Sequence, residues 1–546
     1  MTAVCCHSER SEAQSRNLLE KSIAKRYQII KLKGKIMENV NRREFLLLAA
    51  GGTAAIVAPG CLHASKEPEH TGKRKPNLLF IWTDEQRADT MAVYGNTKIH
   101  APNLNRLAAE SVVFERAYVT QPVCTPNRSA VMTGLWPHTS GCIRNNIPLP
   151  AEVPCLPEML DDPDYRTAYM GKWHLGDEIF AQHAFQEWVS MEDGYSSHYS
   201  AGRDRNKRSD YHHFLIGHGY QPDKSGKFSR GFAARRPIEH CKPKFLELKA
   251  CDFLRRHRDE PFMLYINFLE PHMPFFGPLD NEHDPEQVDL PANFKDPLEE
   301  NEPLRYRVKR ESCREKYGKD EKAIRSLIAK YWGLVTQVDR SVGAILDTLE
   351  NLGLADNTIV VYTSDHGDMM GSHNLVTKGV MYEEAVRIPW LMRIPQLGTK
   401  QRVIANPVSQ IDMVPTLLEL LGHDRDERLP GRSLVPLIKT GRTDRDHVYI
   451  QWNANSGAIS VKKGGTKLTY KEELKRVANE STRAVISPDG WKLCLSDVDK
   501  CQLFNLNEDP GETTNLFNSG RHKDVIARLT KKIHQWQETI ADKANV

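Results

Sequence analysis

Four short apolar runs in this chain each end on residues that carry chemistry. Residues 78–83 (LLFIWT) lead into Asp84-Glu85, and 166–170 (RTAYM) into Gly171-Lys172-Trp173-His174. Residues 262–268 (FMLYINF) lead into Glu270-Pro271-His272, and 358–363 (TIVVYT) into Ser364-Asp365-His366-Gly367. Between such runs lie amphipathic, helix-like stretches. This alternation predicts an α/β fold, a large and mostly parallel sheet sandwiched by helices. In an open α/β sheet ligands bind beyond the carboxyl ends of the strands, so these carboxylates, imidazoles and ammoniums are expected at one edge. Between Lys322 and Leu354 the apolar residues Ile324, Leu327, Ile328, Tyr331, Leu334, Val335, Val338, Val342, Ile345 and Leu346 recur at three- and four-residue steps. That spacing predicts a long helix lying on the sheet and closed by Gly353.

Composition removes several alternatives. Lys and Arg number 75 against 71 Asp and Glu, a net +4 that is too balanced for a nucleic-acid footprint. Eleven cysteines in 546 residues do not make a disulfide scaffold. No stretch approaches the ~18 uninterrupted apolar residues of a spanning helix, which excludes a polytopic membrane protein.

The chain divides into an export leader with an upstream extension (1–65), a linker (66–75), a catalytic domain (76–439) and a C-terminal subdomain (440–546). The leader pairs Arg42-Arg43 with an apolar stretch from Phe45 and small residues up to Pro59. It resembles a twin-arginine export signal, with Met37 the more natural start than Met1. Cys61 follows Ala58-Pro59-Gly60, which loosely resembles a lipoprotein cleavage box. Export to the periplasm or the extracellular space, with lipid anchoring through Cys61 as one outcome, is therefore expected. In an oxidising compartment Cys494 and Cys501 are a candidate disulfide pair. After Thr440, short strand-like runs (447–452, 481–486, 491–495) and a closing helix (523–541) predict a small α+β module with an antiparallel sheet.

The segment Thr120-Gln121-Pro122-Val123-Cys124-Thr125-Pro126-Asn127-Arg128-Ser129 has a specific layout. Pro126 suits the first turn of a helix, and Cys124 then sits at a helix N-terminus, where donors and dipole favour an anion. Such a position is expected to lower a thiol pKa. The pattern Cys124-x-Pro126-x-Arg128, continuing to Thr133-Gly134, resembles the signature of the formylglycine-dependent sulfatases. The resemblance extends to Gly171-Lys172-Trp173-His174-Leu175-Gly176, Pro271-His272-Met273-Pro274-Phe275, Ser364-Asp365-His366-Gly367 with Lys378, and Leu503-Phe504-Asn505-Leu506 through Asn515-Leu516. It implies an alkaline-phosphatase-like fold.

The resemblance also implies a chemistry. A formylglycine-generating enzyme oxidises Cys124 to an aldehyde, which hydrates to a geminal diol. One hydroxyl attacks sulfur and expels the substrate alcohol; deprotonation of the second then expels sulfate, so water never attacks the covalent ester. The implied metal ligands are Asp84, Glu85, Asp365 and His366, completed by modified Cys124. Hard oxygens favour Ca²⁺ or Mg²⁺, with Ca²⁺ preferred. Many members carry Asp where this chain has Glu85 and Asn where it has His366, a departure that leaves Mn²⁺ and Zn²⁺ open. Lys172 and Lys378 would bind sulfate oxygens, and Arg128 would hold the modified residue. His174 would be the base and His272 the acid, roles that could be exchanged with Lys378 sharing the second. Arg87 and His373 are assigned to orientation or structure.

Residues 194–243 form a polar, basic insertion with Tyr199, Arg203, Arg205, Lys207, Arg208 and Tyr211-His212-His213. It is read either as a solvated loop or as a cleft wall that meets a sulfated sugar. Residues 277–305 are expected to be a surface excursion without chemistry. The expected activity is hydrolysis of a sulfate monoester on a carbohydrate. A formylglycine-dependent phosphonate monoester or phosphodiester hydrolase and a non-catalytic glycan-binding relative are the alternatives.

Overall fold

The computed structural model describes residues 74–297, 300–443, 447–456 and 471–546. The expected leader, with Met37, Arg42-Arg43 and Cys61, lies outside the described residues. Lys73 to Val546 forms one compact unit. No helix among the described residues is long and apolar enough to cross a membrane.

Nine strands build the main sheet: β1 (Asn77–Asp84), β2 (Val112–Tyr118), β3 (Arg166–Gly171), β4 (Glu187–Ser190), β5 (Phe262–Pro271), β6 (Thr358–Ser364), β7 (Arg387–Ile388), β8 (Trp390–Arg393) and β9 (Arg402–Ser409). Their spatial order is β4-β3-β5-β1-β6-β8-β2-β7, with β9 paired to β2. The run from β4 to β6 is parallel throughout. β8 is antiparallel to β6 and β2.

β1 is buried at every position, and its period-two alternation feeds two cores. Leu79 and Ile81 join the layer of the helices Lys242–Arg256 and Glu321–Asn351, through Phe245, Phe253, Val338 and Ile345. Leu78, Phe80 and Trp82 join the opposite layer with Val131, Met132, Val414 and Leu417. The predicted long helix is therefore present, over Glu321–Asn351, and lies on one face.

Register aligns the strand ends. Leu78 lies opposite both Met263 and Ile359, and Gly171 opposite Asn267. Asp84, Gly171, Pro271 and Ser364 thus finish at the same carboxyl edge. Gly171 is required there: its φ is +112°, and a Cβ would meet the Asn267 carbonyl oxygen at 2.0 Å.

The C-terminal sheet is antiparallel, in the order β10 (Val448–Trp452), β11 (Thr482–Ile486), β12 (Trp491–Ser496), β13 (Gln502–Asn505). The helix Lys523–Thr539 sets Leu529 and Ile533 against Val485, Leu493 and Leu503. This sheet reaches the segment leading into Cys124: Gln451 N donates to Thr120 O at 2.7 Å, and Asn453 Nδ2 to Gln121 Oε1 at 2.8 Å.

Two expectations fail here. Cys494 and Cys501 are free thiols. Cys494 pairs across the ladder with Gln502, so Cys501, one residue earlier, points to the other face and meets Ser496 instead. The 277–305 stretch is not a plain surface excursion. Glu302 is buried and accepts from Tyr382 Oη at 2.7 Å, and Arg305 is buried against Glu480 at 2.6 Å.

Candidate active site

The helix Cys124–Thr133 starts at Cys124, with Val123 as an extended N-cap, and every residue in it is buried. Gly134 closes it in the left-handed conformation. Cys124 therefore points out of a helix N-terminus towards the ends of β1 and β6. Its Sγ lies 3.1 Å from His366 Nε2 and 3.6 Å from Asp84 Oδ1. His366 Nδ1 sits 3.0 Å from the Gly367 carbonyl, which can only accept, so Nδ1 carries the proton and Nε2 turns its lone pair inward. Gly367 has its own constraint, since a Cβ there would lie 1.9 Å from the Glu384 carbonyl oxygen.

Arg128, one turn into the helix, is fully buried and ties the strand ends together. Its Nη2 meets Asp84 Oδ2 at 2.8 Å, its Nε meets Asp365 Oδ2 at 2.9 Å, and its Nη1 donates to the Lys172 carbonyl at 2.9 Å. The guanidinium also lies 4.8 Å from the Trp82 ring. Lys172 Nζ pairs with the same Asp84 oxygen. Burial alone would raise the Asp84 pKa; Lys172, His272 and Arg128 outweigh it and hold the carboxyl well below its usual range.

The thiol does not follow its expectation. Burial, with Asp84 adding to it, pushes Cys124 up to about 12, against the pull of Lys378 and Lys172. Desolvation and a carboxylate 3.6 Å away outweigh the helix terminus, so the side chain is a neutral thiol and not a ready thiolate.

Asp84, Cys124, Asp365 and His366 bring their ligand atoms within 4.8 Å of one another. Glu85 stands apart from this group, in a second one with Asp84 and His272. Its backbone is left-handed, φ +69°, which turns the carboxylate away; Oε2 meets Lys378 Nζ at 2.7 Å and lies 3.4 Å from His272 Nε2. Its Oε1 is buried without a hydrogen-bond partner, and burial pushes the group up to about 8. An inward lone pair, two hard carboxylates and an orphaned carboxylate oxygen fit a divalent cation.

His174 and His272 flank this centre. His174 Nε2 is 3.0 Å from Asn146 Oδ1, while its Nδ1 is buried and unpartnered. Glu178 fixes the turn by accepting from the Trp173 and His174 amides at 2.9 and 2.6 Å. His272 Nδ1 meets the Met273 carbonyl at 2.8 Å. Burial, then Lys172 and Arg128 for His174 and Lys378 for His272, holds both imidazoles well below their usual range.

The residues assigned to structure behave as such. Arg87 pairs with Asp89 at 2.7 Å. His373 binds Asp296 and Asn293 and stacks 3.9 Å from Tyr382. In the basic insertion, Tyr211 Oη donates to the His240 carbonyl and His212 pairs with Asp193, both at 2.8 Å, and both side chains line a cavity of about 440 Å³. The insertion meets the site through residues that sequence reasoning missed. Tyr195 packs its ring 4.6 Å from His174, and Arg230 Nη2 donates to Tyr195 Oη at 2.8 Å. Asn127 was also missed; it donates to the Asp365 carbonyl at 2.6 Å and to Gln410 Oε1 at 2.6 Å. Its place between Pro126 and Arg128 was the one available signal.

A buried cysteine at a helix start, a carboxylate-imidazole group able to hold a cation, and flanking lysines and histidines suit hydrolysis on an alkaline-phosphatase-like fold. The sulfatase family profile matches residues 76–423, more than half of the chain, and the chain belongs to that family, a sulfuric ester hydrolase. Residues 371–539 match the C-terminal region of N-sulphoglucosamine sulphohydrolase. The chain is 25% identical over 557 residues to an N-acetylglucosamine-6-O-sulfatase of Bacteroides thetaiotaomicron, with 90% of each chain covered. Two solved structures share the fold. A phosphonate monoester hydrolase from Silicibacter pomeroyi has a TM-score of 0.71 at 21% identity, covering 85% of this chain and 95% of its own. A protein solved with its substrate D-glucosamine-2-N,6-O-disulfate has a TM-score of 0.68 at 23% identity, covering 86% and 99%.

Proposed function

We propose that this sulfatase removes sulfate from a monoester carried by a carbohydrate, using Cys124 after its oxidation to formylglycine. The observation that carries the reading is Cys124 Sγ held between His366 Nε2 and Asp84 Oδ1, with Lys172 on Asp84 and Lys378 on the neighbouring Glu85. A carbohydrate substrate is supported by the resemblance to an N-acetylglucosamine-6-O-sulfatase.

Asp84, Asp365, His366 and modified Cys124 would hold one divalent cation, with Glu85 as the adjoining carboxylate; the ion would supply charge against the nucleophile oxygen and a sulfuryl oxygen. Oxygen donors favour Ca²⁺, then Mg²⁺, and the His366 imidazole keeps Mn²⁺ and Zn²⁺ in play. Arg128 orients Asp84 and Asp365 and carries no proton. Lys172, paired with Asp84, and Lys378, paired with Glu85, both stay raised in pKa despite their burial, so both can face sulfate oxygens as cations. Neutral His174, with Nδ1 unpartnered, is suited to accept the proton when the sulfated intermediate collapses. His272 is assigned the leaving alcohol. The charge of a bound sulfate ester opposes the neighbouring lysines and raises its imidazole towards protonation.

A phosphonate monoester hydrolase is the second reading, favoured by the fold match and by His366 beside Asp365. Turnover of an aryl sulfate and an aryl phosphonate on one preparation separates the two. The sulfatase reading predicts the sulfate as the better substrate; a phosphonate better by orders of magnitude overturns it.

Maturation by a formylglycine-generating enzyme and export by the twin-arginine machinery belong to the same proposal, supported by the Cys124 motif and by Arg42-Arg43. Fractionation of cells expressing Arg42→Lys/Arg43→Lys is expected to leave the protein inside. Unchanged export would remove the twin-arginine route.

A further inference from the structure

The mechanism above does not use a cationic group beside it. Arg230 and Lys242 share one buried carboxylate, Glu192. Arg230 Nε lies 2.9 and 3.1 Å from the two Glu192 oxygens, Arg230 Nη2 and Lys242 Nζ close on the same group, and Glu192 is held well below its usual range despite its burial. One edge of the guanidinium is thus locked by Glu192, and Nη2 also donates to Tyr195 Oη at 2.8 Å. Among the described residues no acceptor meets Nη1, and the Arg230 side chain keeps 31% exposure.

Its position matters. Tyr195, which Arg230 holds, packs 4.6 Å from the His174 ring. Arg230 lines one narrow cavity with His272 and Glu270, and a larger one of about 440 Å³ with Tyr195, Lys227, His212 and Ser229. Two cations face Glu192; Glu270, the carboxylate of the narrow cavity, has a buried Oε2 without a hydrogen-bond partner, and burial pushes it up to about 7. Of the other carboxylates on the larger cavity, Asp193 is taken by His212 at 2.8 Å and Asp223 accepts from Ser225 Oγ at 2.6 Å. A guanidinium pre-oriented on one edge by Glu192, lining both the narrow cavity at His272 and the 440 Å³ space beside Tyr195, is built to meet a planar or tetrahedral oxyanion.

Resting on the sulfatase reading, we propose that Arg230 is a specificity residue that binds a second anionic group, a sulfate or a carboxylate, on the sugar bearing the scissile sulfate. Tyr195 positions Arg230 and gives that sugar an aromatic wall. The substrate class is therefore a polyanionic glycan and not a singly sulfated neutral sugar.

The test compares kcat/KM for glucosamine-2-N,6-O-disulfate, glucosamine-6-O-sulfate and an aryl sulfate, using mature wild type, Arg230→Gln and Arg230→Lys. Wild type is expected to prefer the disulfate over the monosulfate by roughly ten- to hundred-fold, the range of one charge-assisted contact. Arg230→Gln is expected to remove that preference, chiefly through KM, and Arg230→Lys to keep part of it. The same tests on a carboxylated sulfated sugar distinguish sulfate from carboxylate as the second group. Sulfate release from the aryl ester with no preference for either the disulfate or the carboxylated sulfated sugar, or an Arg230→Gln loss equal on all substrates, overturns the proposal alone. Matched melting temperatures for the three proteins exclude a folding defect. Failure of mature wild type to release sulfate from any ester overturns the parent reading.

Discussion

Arg128 Nη2 and Asp84 Oδ2 meet at 2.8 Å with neither side chain exposed to water. The same guanidinium holds Asp365 at 2.9 Å. One buried cation therefore spans the two carboxylates that end β1 and begin the loop after β6, with Lys172 as a second partner on Asp84. Removing it leaves Asp365 without its buried cation, which costs about 3–5 kcal/mol. Arg128→Ala is expected to lower stability by that order and to abolish turnover. Arg128→Lys is expected to fail as well, because an ammonium cannot reach Asp84, Asp365 and the Lys172 carbonyl together. Thermal melts and single-turnover assays check both; a stable, active Arg128→Lys would show that the fork geometry is dispensable.

Cys124→Ala removes the proposed nucleophile from a helix that is otherwise packed by Val131 and Met132. Turnover is expected to vanish while the melting temperature stays within a few degrees. Substantial residual sulfate release would refute the nucleophile assignment.

His272 separates substrates by leaving group. An alcohol that needs a proton should lose about 10²–10⁴-fold in His272→Ala, whereas an activated phenol should lose little. Rates on a sugar sulfate and an aryl sulfate decide this. Equal losses would take the acid role away from His272.

Metal binding to the folded state alone stabilises it, by about 2.7 kcal/mol at a hundredfold excess over Kd. Chelation is expected to lower the melting temperature, Ca²⁺ to restore it, and Asp365→Asn to reduce the bound metal measured by elemental analysis. A fully active preparation with no stoichiometric metal would contradict the assignment.

Glu302 gives a signed pH test. Burial pushes it up from 4.5 to about 7, against the donors Tyr382 and Gln502. Between those values the folded state holds a proton that the unfolded chain has lost, so this group's contribution to stability falls as pH rises from about 4.5 to 7. The fall is at most roughly 3 kcal/mol. Glu302→Gln is expected to flatten that part of the curve. Parallel melting curves for wild type and variant between pH 5 and 8 would show that Glu302 does not titrate there.

The shared carboxyl edge that gathers the candidate residues was legible because the four strands are apolar runs that stop abruptly at charge, and parallel pairing puts their ends together. The Glu321–Asn351 helix was legible from its spacing. What escaped depends on geometry that no local pattern encodes. The left-handed Glu85 turns its carboxylate towards Lys378 and away from the Asp84, Cys124, Asp365 and His366 group. The Cys124 thiol is set by burial and Asp84 more than by its helix terminus. Tyr195 and Arg230 sit in a polar insertion where charge runs all read alike; a position beside His174 appears only once the chain has folded. Cys494 and Cys501, a candidate pair across a turn, are put on opposite faces by strand alternation.

The account turns on what atom stands where Cys124 Sγ now faces His366 Nε2 at 3.1 Å. Mass spectrometry of the tryptic peptide spanning residues 117–128, from sulfate-releasing protein, reads it directly. The account predicts the aldehyde or its hydrate at position 124, trapped by a carbonyl reagent. An intact cysteine in fully active protein would contradict it.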